Sequence, residues 1–151
     1  MKEKIFEAFT DLGFKLVKND DYRYSFSYEG LKLLYTVSED DNECLSISVP
    51  CIYDCHQGNA SHAAALTEKI NFTLKYIKAY ILAGSVWLFY ERELITEEED
   101  MMDVISRMIN RLEAGYVFAR KTIAEIESDA TEGTGTEETD DGKTDDNDNN
   151  E

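Results

Sequence analysis

Long apolar runs are missing from the chain. None approaches the roughly 20 residues that a membrane-spanning helix needs. The opening MKEKIFEAFT scatters charges among its first apolar residues, where a secretory signal would need an unbroken apolar stretch. A cytoplasmic protein with no membrane partner is the expectation. Cysteine is sparse: Cys44, Cys51 and Cys55 make an odd set of 3, which reads as reduced thiols and excludes a disulfide framework. Positive charge is also short, with 15 Lys and Arg against 32 Asp and Glu and a net charge of -17. Phosphate backbones and anionic bilayers are repelled by such a chain, and no basic patch interrupts it, so nucleic acid is excluded as a partner.

The acid is concentrated at one end. Ser128–Glu151 holds 10 acidic residues and 1 Lys, with nothing aliphatic larger than alanine and no aromatic. Such a segment buries too little apolar surface to offset the entropy of ordering. Residues 1–127 are therefore predicted to form a single domain, and residues 128–151 a disordered acidic tail.

Within residues 1–127 the hydrophobic period changes several times. Ile5, Ala8, Phe9 and Leu12 share a helical face over residues 2–12, and Gly13 stands where a helix stop is expected. Alternation follows, with Tyr22, Tyr24, Phe26 and Tyr28 on one face, then Leu31, Leu33, Tyr35 and Val37, then Leu45, Ile47, Val49 and Cys51. The polar segment 38–43 reads as a turn, and a weaker stretch, Phe14 to Lys18, precedes the run. Short connections make this an antiparallel meander.

Helical spacing returns at Ser61–Leu74. Tyr76–Leu82 and Val86–Ile95 then flank Ala83-Gly84-Ser85 as a hairpin. Thr96 and Glu99 spell a capping box for a long helix whose stripe runs Met102, Ile105, Ile109, Leu112, Tyr116, Ala119, Ile123 and Ile126. The fold class is α+β: an antiparallel sheet in α-β-β-β-α-β-β-α order, helices packed on one side, and a long C-terminal helix.

This order resembles the YbjN-like sensory-transduction regulators and, more distantly, the type III secretion chaperones. The likeness rests on the Ile5–Leu12 helix with Gly13-Phe14, the Tyr22–Val49 meander, the Asn71–Leu94 helix end and hairpin, and the helix from Thr96. It spans about residues 1–126 as a pattern and not as a fixed motif. The resemblance implies a non-enzymatic, often dimeric protein that binds or regulates another polypeptide. It brings no catalytic residues and no cofactor.

Four residues could carry other chemistry. Cys51, Cys55, His56 and His62 form C-x3-C-H-x5-H, and their softness suits zinc. The adjacent Cys55 and His56 point at one ion only with difficulty, so the plainer reading has Cys51 in the core and the others along a loop. A cysteine nucleophile with His56 or His62 as base would make a small thiol enzyme. Asp140, Asp141, Asp145, Asp146 and Asp148 lack the ordered spacing of a calcium loop.

Tyr22, Tyr24, Tyr28, Tyr35, Trp87, Phe89 and Tyr90 give the sheet an aromatic surplus, read first as core packing and second as a peptide or dimer surface. On the last helix, the C-terminal turns bearing Tyr116, Ile123 and Ile126 are the candidates for contact with a partner. The first functional expectation is a chaperone-like or regulatory binding module for another protein or peptide, itself a homodimer. The alternatives are a Cys/His metal or thiol protein at residues 51–62, and an acidic tail that mimics nucleic acid toward a basic partner.

Overall fold

The computed structural model describes residues 1–37 and 44–133. Helix α1 (Lys2–Asp11) is followed by strands β1 (Val17–Lys18), β2 (Arg23–Tyr28), β3 (Leu31–Thr36) and β4 (Cys44–Asp54). Helix α2 (Ala60–Thr73), strands β5 (Lys78–Leu82) and β6 (Ser85–Glu93), and helix α3 (Met101–Gly133) complete the order. The two-residue β1 is the one strand beyond the expected order, and it comes from the weak stretch before Tyr22. All neighbours are antiparallel, in the order β1-β2-β3-β4-β6-β5.

Helix α1 ends as its Gly13 predicts. Gly13 N–H donates to Thr10 O and Phe14 N–H to Phe9 O, the paired bonds of a Schellman stop. The Phe14 and Phe9 rings meet across that stop with centroids 6.2 Å apart. The links of the two tight hairpins, Glu29-Gly30 and Ala83-Gly84, have positive φ at both positions (49° and 77°, 50° and 78°). That geometry suits the right-handed twist of the flanking strands, and glycine adopts it without strain.

All three helices lie on one face of the sheet, with α3 in contact with both α1 and α2. Phe9, Leu33, Leu45, Ile47, Leu66, Ile70, Leu88, Ile105, Met108 and Leu112 are sealed between the layers. Burial of a side chain of that size contributes about 1.5–3 kcal/mol, enough in sum to oppose the entropy of ordering.

Three local expectations are corrected. The long helix starts at Met101 and not at Thr96: Asp100 Oδ1 accepts the N–H groups of Met102 and Asp103, while Glu99 binds Ile95 N–H and Arg92. Aspartate is a strong N-cap, and Glu99 is already engaged with the strand end, so the later acid wins. The buried face accordingly begins with Met101, Val104 and Ile105, and Met102 turns outward.

Cys51 is exposed instead of buried. Between Val49 and Tyr53 the β4–β6 register shifts, Cys51 takes φ 52°, and Ile52 enters the core instead. Helix α3 also continues past Glu127 to Gly133. The 38–43 turn and residues 134–151, including the aspartates from Asp140 to Asp148, lie outside the described residues.

Candidate functional site

An antiparallel edge strand turns alternate residues' N–H and C=O groups outward, so what meets those groups decides whether another chain can pair there. On β5, the hairpin register turns Ala79 and Ile81 outward. Ala79 is already occupied. Its N–H donates to Asn71 Oδ1 at 2.7 Å and its C=O accepts from Asn71 Nδ2 at 2.9 Å, so one amide side chain on α2 stands in for a paired strand. Around this edge large apolar side chains remain exposed: Phe72 at 88%, Tyr76 at 63%, and Tyr80, Ile81 and Leu82.

The opposite edge is finished differently. β1 pairs with β2 only at Tyr24 and Ser25. By the same alternation Ser27 directs its N–H and C=O outward, past the end of β1. The chain between Gly13 and Val17 stands off from β2 there and leaves a cleft of about 340 Å³ lined by Phe14, Lys15, Val17, Phe26, Ser27 and Lys32, among others. Phe14 is held by Phe9, Phe26 and Tyr28 in edge-to-face contacts.

The face away from the helices is partly apolar. Leu34, Ser48 and Phe89 lie in register across β3, β4 and β6, and all three are buried. Tyr80 stacks on Phe89 at 4.2 Å with ring planes 3° apart, and Trp87 lies beside Phe89. Among the described residues Trp87 Nε1 has no hydrogen-bond partner. Lys78 Nζ binds Glu91 Oε2 at 2.6 Å, and this hydrogen bond holds the Lys78 ammonium above its ordinary pKa. Burial pushes the Tyr80 phenol up. Of the aromatic surplus, Tyr24 and Tyr35 pack with Phe6 and Phe9 of α1 as core, beside Phe26, whereas Trp87 and Phe89 join Tyr80 in this second cluster.

The Cys/His segment is built around Asn59, which accepts His56 N–H and donates to Asp54 O, closing the loop between β4 and α2. His56 Nδ1 accepts Gly58 N–H at 3.1 Å, so that lone pair is engaged within the loop. Among the described residues no three His, Cys, Asp or Glu side chains gather as a metal site, Cys51, Cys55, His56 and His62 included. Tyr116, Ile123 and Ile126 are half-buried against the core. Arg111 ties the foot of β5 to α3, with its guanidinium over the Tyr76 ring and a hydrogen bond to Tyr90 Oη.

No family model and no curated protein matches the sequence. Solved structures do match the fold. An uncharacterized protein from Methanothermobacter thermautotrophicus superposes with a TM-score of 0.58 at 14% identity, covering 82% of this chain and 96% of that one. YbjN from E. coli gives 0.58 at 11% identity, covering 87% and 93%. The heterodimeric ExoU–SpcU complex from the type III secretion system of Pseudomonas aeruginosa supplies a chain at 0.56 and 17% identity, covering 77% and 94%. The fold is YbjN-like and type III secretion chaperone-like. At these identities the likeness is one of architecture, and site residues do not transfer with it. Asn71 and the cleft beside β2 had no signature in the sequence: each depends on two segments meeting only after folding. Among the described residues no helix is long and apolar enough to cross a membrane.

Proposed function

We propose that the protein is a non-enzymatic, chaperone-like or regulatory module that holds another polypeptide and is itself a homodimer. The observation that carries this reading is the collection of exposed apolar side chains, Phe72, Tyr76, Tyr80, Ile81 and Leu82, at the end of α2 and along β5. Exposed apolar residues scattered singly are ordinary, but a cluster on adjoining elements is a feature of association surfaces. ExoU–SpcU, a heterodimeric complex, adds that a chain of this fold can live in a protein complex. The half-buried turns at Tyr116, Ile123 and Ile126 extend the surface a partner could use.

Light scattering across a dilution series tests the self-association. The full chain is expected at twice its 17.3 kDa mass, and a Phe72→Ser, Tyr76→Ser double variant at one chain's mass with its circular dichroism unchanged. A single-chain mass for the unaltered protein at every concentration would remove the homodimer from the reading.

A further inference from the structure

The two sheet edges differ in what they offer an incoming strand, and that difference names a second surface. At β5, the outward groups of Ala79 are taken by Asn71, so a strand arriving there meets a filled position. At β2, the outward groups of Ser27 open onto the cleft beside β1. The cleft has apolar walls, Phe14 and Phe26 toward the helices, and its cationic side chains are Lys15 and Lys32. No acidic side chain lines it, in a chain with 32 acidic residues. Among the described residues no ion pair engages Lys15 or Lys32.

We propose that this cleft takes an extended, acidic segment of a partner polypeptide, which adds a short strand to the sheet at Ser27. An added strand alternates its side chains between the two faces of the sheet. Residues turned toward the helices meet Phe14 and Phe26, and residues turned the other way meet Lys32, which lies opposite Ser27 across β2 and β3. The segment that fits therefore alternates apolar and acidic side chains. Backbone pairing supplies the attachment, and the lysines select the charge. This inference rests on the polypeptide-binding reading, but it sets the partner segment at the opposite edge from the α2–β5 surface.

The probe is a fluorescein-labelled octapeptide alternating valine and glutamate, titrated against the full chain by fluorescence anisotropy, with a valine–lysine octapeptide as the control. The glutamate peptide is expected to bind at least about tenfold more tightly than the lysine peptide. Amide chemical shifts should move at Ser25–Tyr28 and Lys32. Ser27→Pro removes an N–H that points away from β3, so the folded spectrum should survive while affinity falls about tenfold or more. Should that variant misfold, the Lys15→Gln, Lys32→Gln double variant carries the test, with a similar fall and a weaker salt dependence.

Equal binding of the two peptides overturns the inference. So do shifts confined to Tyr80 and Ile81, although these leave the polypeptide-binding reading standing. If neither peptide binds while the chain still dimerises through Phe72 and Tyr76, the cleft falls and the dimer remains. Dimerisation abolished by Ser27→Pro would make a second copy the occupant and overturn the partner segment.

Discussion

The sheet ends in two ways. On one side an amide side chain from a helix completes the outermost strand at Ala79; on the other a two-residue strand stops short and leaves β2 uncovered past Ser25. The β5 side is surrounded by exposed apolar residues yet has its backbone partly filled. The β2 side has its backbone open and its apolar residues mostly packed. Surface hydrophobicity and strand-pairing capacity are therefore separable properties, assigned here to opposite edges. Such a separation lets a chain associate through apolar side chains without polymerising into a continued sheet.

Three substitutions test the contrast, the largest effect first. Phe9 is sealed between α1 and the sheet, touching Phe14, Phe26 and Tyr35. Phe9→Ala is expected to cost about 3–5 kcal/mol in urea unfolding and to release Phe14, the wall of the cleft. A cost below about 1 kcal/mol would mean that the β2 side does not depend on this aromatic cluster.

Asn71→Ala bares both backbone groups of Ala79. The loss of two hydrogen bonds should cost about 2 kcal/mol, and the opened edge should add concentration-dependent association in light scattering that the unaltered chain lacks. Unchanged stability and unchanged mass would show that the amide is no stopper.

The smallest effect is at Lys78. Its pKa stands above 10.5 in the folded protein because Glu91 hydrogen-bonds the charged form, so its contribution is fully present below about pH 10.5 and fades as pH rises through the raised value. Tyr80, raised by burial, fades in the same direction. More than half of the Lys78 side chain is exposed, which limits the pair to under about 0.5 kcal/mol. Lys78→Met should flatten the alkaline decline of stability slightly, measured by thermal melts between about pH 9 and 12.

Much of this architecture is legible in the residues because the signals are local. Gly13 marks a stop whose bonds form within α1, and the alternation of Tyr24, Phe26, Leu33 and Tyr35 places a pleated face directly. Misreadings fall where a local rule has competitors. Four acids in a row left several residues able to start α3, and Asp100 won. Alternation extended through Pro50 put Cys51 inside, whereas the bulge turns it out. The edges were illegible for a different reason. Asn71 meets Ala79 only because α2 lies along β5, and the cleft exists because the segment before β1 stands off from β2. The candidates Cys51, Cys55, His56 and His62 rest on spacing alone, which carries no information about direction in space.

Helix α3 is 33 residues long, about 50 Å end to end. Its last side chain packed on the core is Ile126, and the 7 residues that follow, to Gly133, are all exposed. They form a mast about 10 Å tall at the helical rise per residue. In physiological salt a charge is felt over only about 8 Å. The carboxylate of Glu132, near the mast's tip, therefore stands about one screening length from the last packed turn.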